Sequence, residues 1–238
     1  MKTNGAILYE GPSLLTGKPI VVIAIGLASN STNRKTGAMI QTYILCADQN
    51  PIEAVNNGAD AAICGGCIHR KNLVTGTRTC YVTLMHGPSS VYKTYKAGKY
   101  PVLTDYSVFT GKPVRFGTYG DPAAVPLSVW QNLSAQASMT TGYTHQWKAK
   151  KFAALSAFCQ ASAETAEDVV SANAKGFGTF RVLPVLESVP TETVHCPASA
   201  EMGKVTTCVA CGICDGAKKM NVAIFAHGST GHKYTGAR

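Results

Sequence analysis

A chain of 238 residues, 45% of them hydrophobic, can bury one sizeable core and needs no disulfide stapling. Its formal charge of +9, from 22 Lys+Arg against 13 Asp+Glu, favours an acidic partner such as DNA or RNA, although a basic protein without such a partner has the same composition. The longest apolar run, residues 20–27, is strand-sized and far short of the roughly 18–20 residues that cross a bilayer, and residues 1–10 lack the segments of a signal peptide. No membrane partner is expected, and the expected setting is the reducing cytoplasm.

The β-branched run 20–25, between Pro19 and Gly26, is predicted as a buried strand. Residues 30–37 have loop composition, and 41–46 form a second strand before the turn residues Asp48, Asn50 and Pro51. The irregular, Gly-rich stretch 58–80 holds the first cysteines. A short strand over 81–85 and a helix over 89–97, stopped by Gly98, are predicted after it.

From Pro113 the pattern becomes regular. Strand 114–119 leads through Gly120-Asp121-Pro122 to a helix with Leu127, Trp130, Leu133 and Ala137 on one face. Strands over 142–147 and 152–158 are predicted next. A helix capped by Ser162 follows, with Glu164, Glu167 and Asp168 early in it and Gly176 at its end. Strand 177–183 is then expected, and 221–226 is the last strand.

Strand–helix–strand alternation of this kind requires parallel pairing. The expected fold is α/β. Residues 1–195 would form a partial parallel (β/α) barrel carrying the first cysteine cluster, and 196–238 a C-terminal metal-bound Cys-rich segment with a closing strand. Residues 196–216 are poor in apolar side chains, so a metal is expected to organise them.

Nine cysteines in a reducing compartment are not expected to pair as disulfides. Seven fall into two groups with metal-ligand spacing. Cys196-x11-Cys208-x2-Cys211-x2-Cys214 offers four thiolates, and a run at x2 spacing suits a [4Fe–4S] cluster, with zinc as the alternative. Cys64-x2-Cys67-x12-Cys80 offers three, which would leave one iron of a cluster open; the zinc alternative is completed by His69 or Cys46. Cys46 and Cys159 end apolar strands and are expected in the core.

In parallel α/β proteins ligands bind beyond the carboxyl ends of the strands. Asp121 occupies such a place, as do Tyr143, Thr144, His145 and Gln146, with Gln160 and Ser162 beyond the next strand. Asp121 and His145 are the candidate catalytic residues, although Gly-Asp-Pro also suits a plain turn. No nucleophile elbow or phosphate-binding glycine loop is present, so hydrolase and nucleotide-triphosphatase activities lack support.

The two cysteine groups, Gly120-Asp121-Pro122, the Cys80-Tyr81 pair and the closing stretch 221–228 together resemble a Cys-rich bacteriophage family typified by mycobacteriophage gene product eighty-eight. That family in turn resembles shortened radical S-adenosylmethionine proteins. The resemblance implies an open-iron cluster on Cys64, Cys67 and Cys80 and an auxiliary cluster on Cys196, Cys208, Cys211 and Cys214. It also implies cofactor contacts at Tyr81 and Tyr143, S-adenosylmethionine as cofactor, and a host-cell cytoplasmic setting. The x2 and x12 gaps depart from the x3 and x2 gaps of the usual radical-enzyme loop. Three functions stand open: an iron–sulfur enzyme of the radical kind acting on nucleic acid or a nucleotide, a zinc-braced nucleic-acid-binding protein, and a base-modifying transferase with Asp121 as nucleophile.

Overall fold

Ile20, Val21, Val22, Ile23 and Ala24 are all fully buried, so their strand is covered on both faces, as side chains that alternate across a sheet require. In a computed structural model, which describes residues 3–29, 31, 33–185, 187–203, 206–228 and 230–236, this strand belongs to a nine-stranded sheet. Asn30 and Thr32 of the expected 30–37 loop, and Lys204 and Val205 of the Cys-rich segment, lie outside the described residues.

The strands are β1 (Gly5–Pro12), β2 (Pro19–Ile25), β3 (Ile40–Cys46), β4 (Pro113–Tyr119), β5 (Met139–Thr144), β6 (Gln160–Ala163), β7 (Thr179–Leu183), β8 (Val194–His195) and β9 (Asn221–Phe225). They lie in the order β1-β2-β3-β4-β5-β6-β7-β9-β8. β1, β2 and β3 pair antiparallel, and every pairing from β3 to β8 is parallel. The sheet stays open, with β1 and β8 at its two edges. Residues 101–103 cover part of the β1 edge through Ile7 N–H to Pro101 O and Leu103 N–H to Ile7 O, at 2.9 and 2.8 Å.

The helices are α1 (Pro51–Asn57), α2 (Ala61–Cys64), α3 (Gly87–Lys96), α4 (Leu127–Ser134), α5 (Ala166–Ala174) and α6 (Cys208–Cys211). No helix among the described residues is long and apolar enough to cross a membrane. Asn50 caps α1 by accepting from Ile52 N–H and Glu53 N–H, which explains why the helix begins at Pro51. α4 buries Trp130 and Leu133 against the sheet. The Trp130 ring stacks on Phe116 of β4 at 4.5 Å, and its Nε1–H donates to Pro122 O at 2.9 Å.

Four expectations are corrected. Residues 81–85 form no strand, because the Arg78 guanidinium donates to the carbonyls of Cys80 and Val82, each at 3.0 Å, and supplies what a ladder would have supplied. Residues 152–158 belong to a 3-10 helix, Lys150–Ala157; Phe152 and Leu155, three apart, are its buried positions, a spacing that fits three residues per turn. The true strand is β6, so Ser162 lies inside a strand, and Thr165 caps α5 by accepting from Asp168 N–H at 3.1 Å. The strand expected at 142–147 starts three residues earlier, at Met139. β1 and the two-residue β8 were not anticipated; β1 is bounded by Gly and Pro, and β8 is too short to show a period.

Ile23→Ala is expected to lower stability by about 2–5 kcal/mol, the usual cost of emptying a closed core position. Val170→Ala, on an exposed face of α5, should change it by less than about 0.5 kcal/mol. Urea denaturation followed by circular dichroism reads both, and equal midpoints would contradict a core that buries both faces of β2.

Candidate metal-binding cavity

At the carboxyl ends of β4, β5, β6, β7 and β9 lies a cavity of about 200 Å³. The chain leaves each parallel strand at this rim, so segments far apart in sequence meet there. Cys64, Cys67 and Cys80 line it from one side, and Cys196, Cys208 and Cys214 from the other. Cys211 is half-buried at the end of α6 and is not among the residues that line the cavity.

The first group arrives in the connection from β3 to β4. α2 ends at Cys64, and Gly65 turns the chain with φ 53°, where a Cβ would meet the Gln146 amide at 2.7 Å. That amide donates to Cys64 O at 3.3 Å. Arg70 fastens the loop from beneath, donating to Gly65 O, Gly58 O and Asp60 Oδ1 at 2.9, 3.0 and 2.6 Å. Of the basic residues at 69–71, Arg70 is therefore committed to a buried carboxylate. Burial, with Cys67 and Cys80 close by, raises the Cys64 thiol well above its ordinary pKa, and burial also raises Cys80.

The second group arrives between β7 and β9. Cys196 N–H donates to Ala223 O at 2.8 Å, extending the β8–β9 pairing by one residue. Cys208 N–H donates to Lys35 O at 2.7 Å, and Thr207 caps α6 by accepting from Ala210 N–H at 3.2 Å. Cys196 and Cys214 are buried with Val222 and Ile224 in a small apolar cluster. Burial pushes the Cys214 thiol up to about 12. Burial likewise raises Cys196 and Cys208, so the Cys64, Cys80, Cys196, Cys208 and Cys214 thiols stay protonated at neutral pH unless a cation favours the thiolate, and a metal ion does so.

Between the two groups lies a polar wall. His145, just past β5, has Nε2 3.5 Å from Cys67 Sγ and 3.1 Å from Glu164 Oε1. Both neighbours meet the same ring nitrogen, so the imidazole cannot pass a proton from one side of the ring to the other as a nucleophilic triad requires. Burial opposes a charged imidazole here, but the adjacent Cys67 side chain and the Glu164 carboxylate outweigh it and raise His145 well above its usual pKa. Burial likewise opposes the Glu164 charge, and His145, with His69 behind it, overrides this and holds the carboxyl below its usual value. His69 points its Nε2 at Glu164 Oε2 from 4.0 Å and is depressed to about 4, chiefly by burial.

Asp121 is placed differently. Its Oδ1 accepts Ala123 N–H at 2.9 Å and its Oδ2 accepts His145 N–H at 2.8 Å, so it joins the β4 turn to the end of β5. Tyr81 and Tyr143 both line the cavity and are linked by Arg115, whose guanidinium donates to Tyr81 Oη at 2.6 Å and lies 5.7 Å from the Tyr143 ring centre. Of the other strand-end residues Ser162 lines the cavity, whereas Thr144 and Gln160 are buried, Gln160 donating to Met220 O at 2.9 Å. Cys46 and Cys159 are buried in the main core.

Sequence reading missed Glu164 and Arg115. The strand mistaken at 152–158 moved Glu164 into a helix; the Arg115 signal was the single charge inside β4. Among the described residues, the three ligand atoms within 4.8 Å of one another are those of His69, His145 and Glu164. No three cysteine sulfurs of either group lie that close together.

No family model, curated protein or solved structure matches the chain.

Arg70→Ala strands the Asp60 carboxylate, whose side chain is 4% exposed, and is expected to cost about 3–5 kcal/mol, the cost of breaking a buried pair. Lys148→Ala breaks a pair with Asp168 in which the lysine is 63% exposed and should cost under about 1 kcal/mol. Urea midpoints check the contrast; similar losses would mean that Asp60 is not dependent on Arg70.

Proposed function

We propose that this chain is an iron–sulfur protein with two cysteine-held centres on one cavity, and that it is an enzyme of the radical S-adenosylmethionine kind acting on a nucleotide or nucleic acid. The observation that carries this reading is the meeting of two cysteine groups, more than a hundred residues apart, at one strand-end rim. Metal that only braces a fold has no reason to face a shared void, whereas two centres facing one void can act on a molecule held between them. The open sheet is read as a partial (β/α) barrel, and the reduced thiols fit a cytoplasmic setting.

The run Cys208-x2-Cys211-x2-Cys214 supports a cluster over zinc, whose structural sites usually take two separate CxxC pairs. When bound, a cluster on Cys64, Cys67 and Cys80 supplies an iron with a free position, and one on Cys196, Cys208, Cys211 and Cys214 supplies an electron relay. The chain's own residues do the rest. Tyr81 and Tyr143 offer ring faces for a flat base or adenine, Arg115 and Lys35 offer positive charge to phosphate or carboxylate, and Asp121 sets the chain at His145. With both oxygens accepting backbone N–H groups, Asp121 serves better as a brace than as the nucleophile of a transferase.

A zinc-braced nucleic-acid-binding protein is the second reading, and one contact favours it. The 3.5 Å between Cys67 Sγ and His145 Nε2 matches an edge of a tetrahedron around zinc, with Zn–S about 2.3 Å and Zn–N about 2.1 Å.

Metal analysis separates the two. Protein purified without oxygen is expected to be brown and to hold iron with acid-labile sulfide. Cys208→Ser and Cys64→Ser should each remove part of that iron, and S-adenosylmethionine should perturb the spectrum of the centre that survives Cys208→Ser. Colourless protein with stoichiometric zinc would overturn the iron–sulfur reading. If nucleic acid is the partner, affinity should fall steeply as salt rises, through release of counterions from phosphates, and undetectable binding to DNA and RNA would remove that partner.

A further inference from the structure

The geometry points to a mononuclear divalent-metal site formed by His69, His145 and Glu164, beside the cysteine centres and an alternative to any zinc that would take His145 Nε2 together with Cys67. Two imidazole nitrogens and a carboxylate oxygen lie within 4.8 Å of one another, and all three residues line the cavity. Donors bound about 2.1 Å from one ion, at angles of 90–110°, lie about 3.0–3.4 Å apart. His145 Nε2 stands 3.1 Å from Glu164 Oε1 and His69 Nε2 4.0 Å from Glu164 Oε2, so the two imidazoles approach the one carboxylate from its two oxygens and an ion between them would draw all three together.

An ordinary ion pair explains His145 with Glu164, but it does not explain His69. At 4.0 Å its Nε2 is beyond hydrogen-bonding reach of the carboxylate at which it points. Its other nitrogen, Nδ1, lies 2.9 Å from Thr79 Oγ1, the outer partner that fixes the ring and leaves Nε2 for a metal. Glu164 has an outer partner of its own, Tyr234 Oη, which donates to Oε2 at 3.3 Å. Two histidines and one carboxylate with open positions is a donor set for divalent first-row metals such as Mn, Fe, Co or Zn. The free positions face the cavity, so an oxygen or nitrogen of a bound molecule could fill them.

The test uses the whole protein, purified without oxygen, with Mn(II) as probe and loss of the free Mn(II) electron-paramagnetic signal as readout. Wild type is expected to take up one Mn(II) per chain. Glu164→Gln and His69→Gln, which keep size and hydrogen bonding, should weaken uptake by at least about a hundredfold, and Thr79→Val by about tenfold, as loss of an outer partner does. The metal held by the cysteines should be unchanged in all three. Absent uptake by wild type, or uptake indifferent to Glu164→Gln and His69→Gln, overturns the proposal. So does uptake abolished by Cys67→Ser with those two variants inert, which would place the ion on the cysteines.

Discussion

Parallel pairing is the constraint on which the rest of this molecule depends. Each parallel strand must be reached by a crossover, so the chain leaves β4, β5, β6, β7 and β9 at one rim and returns at the other. Loops too poor in apolar side chains to fold alone are carried to that rim by strands with cores of their own. Cys64, Cys67 and Cys80 come in with the β3–β4 crossover, and Cys196, Cys208 and Cys214 with the β7–β9 crossover. The three-stranded antiparallel part provides the most deeply buried wall, in which the interior of β2 meets no solvent.

The first cysteine loop has almost no regular structure, and charged or amide side chains hold it. Arg70 takes two carbonyls and Asp60, Arg78 takes the carbonyls of Cys80 and Val82, and Gln146 takes that of Cys64. Buried carbonyls need partners, and guanidinium groups with several donors satisfy more than one at a time. A share of the basic excess is thereby internal, which reduces what remains for an acidic partner.

The α/β class and the rim location were legible because β2, β3, β4 and β7 are β-branched or aromatic runs between turn residues, a signal that depends only on local composition. The site was half legible. Cysteine spacing marked seven positions, and strand-end reasoning reached His145 and Tyr143. Glu164 was hidden because Phe152 and Leu155 in a 3-10 helix mimic a strand, which shifted the next boundary by several residues. The relation between the two cysteine groups was not legible at all, since it depends on β9 pairing with β7 across the excursion 184–220. Arg115 bridges the two sides of the cavity through Tyr81 and Tyr143, and nothing in its local sequence foretells that reach.

The order β7-β9-β8 has a consequence in time. β9 follows the other eight described strands in the chain, yet it sits inside the sheet, and β8, made earlier, pairs with it and lies at the edge. Until residues 221–225 have emerged from the ribosome, Val194 and His195 have no strand to join, and Cys196 lacks the Ala223 carbonyl that holds it. The first cysteine group depends on β3, β4 and β5, which are complete much earlier, and domains consolidate as their chain appears. Assembly of the two halves of the rim is thus ordered by synthesis: the side bearing Cys64, Cys67 and Cys80 can take its shape on the nascent chain, whereas the side bearing Cys196, Cys208 and Cys214 must wait until β9 has been made.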